Sequence, residues 1–262
     1  MIAEAATRLE IPRRLRAIVR ARESSLILLA ALVGVLAGLV VAGMGIGVDI
    51  LHETFFQLAP GERLSGRLTL DPWLAVLVPL CGGIIFGIAS EVIARWRPER
   101  EVDPIEANAL HGGRMSLIGS MIVAAQTMWS SGVGASVGLE AGYTQIASGI
   151  ASRIGNAFRL RRGDLRILVG CGAAAGIAGA FGAPLAGAFY GFELILGSYS
   201  PTSLAPVGIA SLIGFLVAQH FSPAELGVVA PDKTTIAASN MRLDSRARTI
   251  ARRRRGTSSG VT

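Results

Sequence analysis

The distribution of charge restricts what this chain can fold into more than any other sequence feature. Between residues 115 and 224, every Asp, Glu, Lys and Arg lies in the segment 153–166 except two glutamates, Glu140 and Glu193. Uncharged runs of this length fit the hydrocarbon core of a bilayer, where an ionisable side chain is costly and by default indicates a functional site. The two glutamates are therefore the first candidates for an ion- or proton-handling site.

The composition and the other uncharged runs predict an all-α integral membrane protein. Of the 262 residues 51% are hydrophobic and only 16% are charged, whereas soluble domains average about 25% charged residues. The runs Ser24–Val48 and Pro72–Ser90 carry no charge, and the first of them is long enough to span a bilayer and to tilt.

The basic residues predict the orientation. Residues 1–23 contain five arginines between positions 13 and 22 and are expected to form an amphipathic helix at the cytoplasmic headgroups. The loop 53–71 is then expected outside, and the arginines of 153–166 in the cytoplasm. A signal peptide is the alternative for the N-terminus, although the long uncharged run that follows argues against it.

Helix-start and helix-break signals occur at three places. Asp103, Pro104 and Glu106 predict the start of a helix too short to span. The glycines and serines of 130–138 allow the chain to turn, so that a second short helix starts near Leu139. Gly182 and Pro184 are expected to divide the glycine- and alanine-rich run 167–192 into two pieces.

Glu140 lies where the second of these helices would start. The free N–H groups and the positive end of the helix dipole would face the residues before Glu140. This arrangement would form an anion site from backbone groups alone. The alternative is a glycine-rich stretch for close helix packing, with Glu140 exposed at the membrane edge. For Glu193, the alternative is an interfacial residue at the cytoplasmic end of a helix.

The remaining reactive side chains do not form an enzyme site. We find no nucleophile–base set, no phosphate-binding loop and no cluster with metal-ligand spacing, so we expect no enzymatic activity, no metal and no cofactor. The cysteines are isolated in apolar runs, and the histidines are scattered and are interpreted as structural or interfacial: Cys81, Cys171, His52, His111 and His220.

Over residues 10–222 the sequence resembles the CLC family of chloride channels and chloride/proton exchangers. Residues 138–142, Gly-Leu-Glu-Ala-Gly, are similar to its G-[KR]-E-G-P motif. Residues 172–187, followed by Glu193, are similar to its longer G-A-A-A-G-x-A-A-A-F-N-A-P-L-A-G…E segment. The resemblance implies a bundle of tilted and broken helices over 24–222, the first of two inverted repeats. It also implies chloride transport, voltage gating and a homodimer formed through residues 183–221.

The resemblance also implies roles for individual residues. Glu140 would be the gate, occupying an anion site when ionised and leaving it when protonated. The anion would be held by the backbone N–H groups of Gly138, Leu139 and Ala141. Glu193 would be an inner or proton-path position, and it is followed by Leu194 where exchangers carry a second glutamate, which favours passive conduction.

The sequence departs from the family pattern at two places. The family's G-S-G-I-P anion motif aligns with residues 100–104, where only the proline, Pro104, is kept. Two carboxylates, Glu101 and Asp103, then stand near the inner anion position. The family's second half, with its G-x-F-x-P motif, is not found after residue 222. Residues 223–262 are polar and Arg-rich and are expected to be disordered. They suggest a truncated or frameshifted product.

The function predicted from the sequence is therefore glutamate-gated chloride transport across a membrane, which we expect to be a bacterial inner membrane. The alternative is a non-transporting fragment or a half-subunit that needs a second half. The expected partners are chloride, membrane lipid and a second copy of the chain. Nucleic acid is not expected, because anionic lipid is the more physical partner for the basic tail.

Overall fold

A computed structural model describes residues 23–59, 62, 64, 70–98 and 100–221 of the chain. The amphipathic helix predicted over 1–23 lies, except for Glu23, outside these described residues. The tail predicted to be disordered over 223–262 lies wholly outside them.

All regular structure in the described residues is helical. Four helices are long and apolar enough to cross a bilayer, over Ser25–Phe56, Pro72–Trp96, Arg162–Phe181 and Pro201–Phe221. This confirms the prediction of an all-α integral membrane protein. In chain order the elements are α1 (Glu23–Phe56), α2 (Pro72–Trp96), α3 (Pro104–Ala109), α4 (Leu117–Gly132), α5 (Glu140–Ala157), α6 (Arg162–Phe181), α7 (Pro184–Tyr190), a π-helical segment (Gly191–Leu196) and α8 (Pro201–Phe221).

The predicted starts and breaks occur where the sequence signals stand. The carboxylate of Asp103 accepts a hydrogen bond from the Glu106 N–H at 2.7 Å, with Pro104 as the first residue of α3. Helix α6 ends at Phe181, because Gly182 takes the left-handed conformation with φ +63°, and α7 starts at Pro184. A proline at the first position of α7 has no N–H to leave unpaired, so it suits a new helix start.

Two elements differ from the sequence expectations. The helix that starts near Leu139 is not short, because α5 has 18 residues. The second piece of the run 167–192 does not end before Glu193, because Glu193 lies inside the π-helical segment, which continues directly from α7 and ends at the left-handed Gly197. Between the start of α7 and the end of α8, the chain leaves helical structure only over 197–200.

Helix α6 forms the centre of the packing. Its buried face consists of small residues, and a Cβ added at Gly172 would lie 2.6 Å from the Ala147 carbonyl oxygen of α5. Helices α1 and α8 approach each other as closely, since a Cβ at Gly34 would lie 2.7 Å from the Ala210 carbonyl oxygen. Close backbone contacts of this kind give membrane helices their packing energy.

Helix α5 carries a row of buried polar side chains that bind backbone carbonyl groups of neighbouring segments. Gln145 donates to the Val102 carbonyl at 2.9 Å and Ser148 to the Val169 carbonyl at 3.2 Å. Ser152 donates to the Gly113 carbonyl at 2.7 Å. These bonds satisfy polar groups that water does not reach, and they fix α5 against α6 and against the segments before α3 and α4.

Candidate anion site at the start of helix α5

The chain turns between α4 and α5 through a glycine at position 134. Gly134 has φ +88°, a conformation that L side chains rarely adopt. The end of α4 is closed by hydrogen bonds from the Gly134 N–H to the Ser131 carbonyl at 3.0 Å and from the Ala135 N–H to the Ser130 carbonyl at 3.1 Å. The backbone then runs without regular structure over 135–138 and enters α5.

Two polar side chains brace this connection. The Ser131 hydroxyl donates to the Val137 carbonyl at 2.8 Å, and a ring nitrogen of His52 lies 3.0 Å from the Ser131 carbonyl oxygen. Sequence reasoning assigned neither contact. Ser131 stands in the glycine- and serine-rich run that indicated the turn, whereas His52 is 79 positions away in the chain, so no local signal could have found it.

The Glu140 carboxylate folds back over the backbone of Gly138. A Cβ added at Gly138 would overlap Oε2 of Glu140, so only glycine leaves room for the carboxylate there. Glu140 is the first residue of α5, and Leu139 at the N-cap makes no side-chain capping hydrogen bond. The N–H groups of an uncapped first turn and the positive end of its dipole attract negative charge. An anion would find the same attraction at this place, so carboxylate and anion would compete for it.

One helical turn further along α5, Thr144 and Tyr190 meet. The Thr144 hydroxyl donates to the Glu140 carbonyl at 2.8 Å. Tyr190, at the end of α7, lies close enough to Thr144 for their hydroxyl groups to interact and close enough to Asp103 to be affected by its charge. Since Gln145 of α5 donates to the Val102 carbonyl, both the segment before α3 and Tyr190, which the sequence did not point to, lie beside this part of α5.

The two carboxylates near the predicted inner anion position have other partners. The Asp103 carboxylate binds the Glu106 N–H as the cap of α3. Glu101 forms an ion pair with Arg97 at 3.6 Å, and its carboxylate lies against Gly119, where a Cβ would overlap it. Pro104 is buried. Within the described residues, no hydrogen bond or ion pair joins these side chains to Glu140.

Glu193 is engaged at a different place. The Tyr199 hydroxyl donates to its carboxylate at 2.6 Å, and the Tyr199 ring packs against Phe192 with centroids 5.2 Å apart. The Glu193 carboxylate therefore binds the connection that precedes α8. Within the part of the chain that the structure describes, it makes no hydrogen bond to the Glu140 region.

The described residues contain no group of three or more His, Cys, Asp or Glu side chains able to hold a metal ion. Cys81 is exposed on α2, whereas Cys171 is buried in α6.

Comparison with known proteins identifies the family. The family model for voltage gated chloride channels matches residues 85–240, more than half of the chain. The chain belongs to this family. The residues of this chain that match the family model include Glu140, Glu193 and the segment 101–104.

Individual relatives of this family show the same similarity. The voltage-gated ClC-type chloride channel ClcB of Escherichia coli is 29% identical over 194 residues, which are 73% of this chain and 46% of the relative. ClcB of Shigella boydii matches to the same extent. A ClcB-like protein of Ralstonia nicotianae is 29% identical over 180 residues, 66% of this chain and 42% of the relative. The chain therefore spans less than half the length of the curated relatives it matches.

Proposed function

We propose that this chain transports chloride across a membrane and that Glu140 gates the path. The observation that carries the proposal is the Glu140 carboxylate lying over Gly138 at the uncapped start of α5. An ionised carboxylate there occupies the position that chloride would take, and protonation weakens its attraction to the helix start. Chloride then binds in its place to the backbone N–H groups of Gly138, Leu139 and Ala141.

The contacts of the segment 101–104 support an anion path that continues past Thr144. Its two carboxylates would repel chloride if they were free. One of them is bound at the start of α3, and the charge of the other is offset by Arg97. The hydroxyl group of Tyr190 is a suitable hydrogen-bond donor for an anion beside it, and the Thr144 hydroxyl becomes one if it leaves the Glu140 carbonyl. We assign this position as the inner anion site of the path.

The proposal includes an orientation and an assembly. By the positive-inside rule, the N-terminus and the segment 153–166 lie in the cytoplasm, and the membrane is a bacterial inner membrane. A second copy of the chain packs against α7 and α8, where large apolar side chains are exposed: Leu185, Phe189, Leu204, Leu212 and Leu216. Lipid covers the remaining apolar surface. Chloride is the transported ion, and neither cofactor nor catalytic step is required.

The alternative is a half-subunit that conducts only with a second half. The observation that favours it is the coverage of the relatives, since the matched residues make up 42–46% of their length. Both versions assign the same residues to the anion path. They differ in whether these residues conduct by themselves.

The decisive experiment measures chloride efflux from liposomes that contain the purified 262-residue chain. Glu140→Gln removes the competing charge, so its flux should change far less with pH than the flux of the unmodified protein. Glu91→Gln is the matched control, because Glu91 is an exposed carboxylate on α2 paired only with Arg95 at 3.0 Å. The control should keep the original pH dependence, since exposed ion pairs contribute little.

Two outcomes would contradict parts of the proposal. An unchanged pH dependence in Glu140→Gln would show that Glu140 is not the gate. No flux from folded, inserted protein would rule out conduction by this chain alone and would favour the half-subunit.

A further inference from the structure

A polar cavity lies at the end of α5 opposite to Glu140. It has a volume of about 290 Å³ and lies between the turn 110–114, the end of α5 and the start of α6. Glu140 is the first residue of α5 and Asn156 is its last but one. At 1.5 Å per residue they are roughly 24 Å apart along the helix axis. The cavity is therefore separate from the proposed anion path.

Two consecutive glycines build the wall of this cavity. Gly112 and Gly113 have φ +62° and +83°, and they turn the chain back against the start of α6, where a Cβ at Gly113 would lie 3.1 Å from the Leu165 carbonyl oxygen. The Arg162 side chain crosses directly over Gly112, where a Cβ would overlap its Nε. Its Nη2 donates to the Leu110 carbonyl at 3.4 Å. The glycine turn thus positions the Arg162 guanidinium at the cavity.

The cavity carries the charge of two arginines that form no ion pair with a carboxylate in the described residues. Arg114, Arg162 and His111 line it. In the described part of the chain no carboxylate lies within 4 Å of either arginine, and His111 is 3.9 Å from Glu106. Asp164 lies in the first turn of α6 but forms no ion pair with these arginines. Two guanidinium groups therefore face the cavity with their charge available for an external anion.

The backbone around the cavity adds to this charge. The N-cap of α6, Arg161, makes no side-chain capping hydrogen bond, so the positive end of the α6 dipole is open at the cavity wall. Nearby carbonyl groups are already bound. The Ala107 carbonyl accepts from the N–H groups of His111 and Gly113, and the Gly155 carbonyl accepts from the Leu160 N–H.

We propose that this cavity binds a phosphate group, supplied by an anionic lipid headgroup or by free phosphate. A cavity of this volume exceeds the needs of a monatomic ion. The planar guanidinium fork matches two oxygens of a phosphate, which makes arginine the preferred side chain for such groups. The cavity lies among the arginines of 153–166, at the border of the uncharged runs, where headgroups are found. The proposal does not depend on chloride transport.

The test compares binding by the purified 262-residue chain in detergent and uses native mass spectrometry with two probes. One probe is phosphatidylglycerol, measured against phosphatidylcholine, and the other is inorganic phosphate alone. Arg114→Gln and Arg162→Gln should each weaken phosphatidylglycerol binding about tenfold, the usual effect of losing one charge-assisted contact. Arg159→Gln and Arg161→Gln are matched controls, because both side chains are exposed in the same cluster but do not line the cavity.

Binding of inorganic phosphate that displaces the lipid would identify free phosphate as the source. Lipid binding without phosphate binding would identify the headgroup. Either result supports the site if the controls keep their binding. Equal weakening in all four variants would overturn the proposal, since it would indicate a general charge effect, and so would unchanged binding in both test variants. Arg114→Gln keeps the test valid if Arg162→Gln fails to fold, because the Arg114 side chain makes no hydrogen bond to the other described residues.

Discussion

Helices α2 and α6 are both of membrane-spanning length, yet they are packed in opposite ways. The most apolar stretch of α2 has a mean hydropathy of 2.1, and 6% of its residues are buried. The corresponding stretch of α6 has a mean hydropathy of only 1.4, and 72% of its residues are buried. The less hydrophobic helix thus occupies the core. In lipid, hydrophobicity does not drive the association of helices. Small residues favour association instead, because they allow close contact between the backbones.

The largest effect that tests this comparison is expected from a large side chain at a buried glycine. Gly172→Leu forces atoms into the Ala147 carbonyl of α5 and should destabilise the protein by about 3 kcal/mol or more. Gly87→Leu on α2 is the control, because nothing lies within 4 Å of its Cβ position. It should change the stability by less than about 1 kcal/mol. The measurement is thermal unfolding in detergent, and equal losses in both variants would contradict the comparison.

A smaller effect is expected at the contact that holds α2. The Trp129 indole N–H of α4 donates to the Gly82 carbonyl of α2 at 3.1 Å. Trp129→Phe removes this bond, worth about 1 kcal/mol, and should speed hydrogen exchange of the α2 amides about fivefold while leaving α6 unchanged. Trp96 is 84% exposed, so Trp96→Phe should alter hydrogen exchange in neither helix. Faster exchange in α6 would show that the two helices unfold together.

The smallest effect is expected at the connection before α8, where a single hydrogen bond joins the exposed side chains of Tyr199 and Glu193. The hydrogen bond to Glu193 raises the pKa of Tyr199 above its ordinary value of 10.0. Because the folded-state pKa is raised, the stability from this bond is present below pH 10 and is lost as the pH rises through the raised pKa.

An absorbance titration of phenolate checks this expectation. Glu193→Gln should return the Tyr199 transition toward 10.0, and Tyr199→Phe assigns that transition among the three tyrosines. A transition that does not move in Glu193→Gln would show that the bond is not formed in solution. If proton transport were lost in the same variant, Glu193 would instead be assigned to a proton path.

The sequence predicted the features that depend on local chemistry. Asp103 and Pro104 predicted the start of α3, and Gly182 with Pro184 predicted the break between α6 and α7. These features are predictable because caps and left-handed turns require particular residues at particular positions. The lone Glu140 after a glycine-rich run indicated the candidate site before any contact was known.

Contacts between distant segments could not be predicted in this way. The binding of His52 to the Ser131 carbonyl and the approach of Tyr190 to Thr144 depend on how whole helices pack. The same reason explains why the mean hydropathies of α2 and α6 do not indicate which of the two helices is buried. Periodicity and charge define each helix, whereas its partners follow from the shape of surfaces that the linear sequence does not display.

The π-helical segment Gly191–Leu196 has a consequence for how this region could change by insertion or deletion. A π-helical turn holds one residue more than an α-helical turn. Deleting one residue there would remove the extra residue and restore α-helical geometry, so the residues before and after the segment would keep nearly the same angular relation. Glu193 lies within the segment and Tyr199 follows its end, so the spacing between these two side chains would change. We therefore expect such a deletion to break the hydrogen bond between Glu193 and Tyr199 while leaving α7 and α8 largely in register.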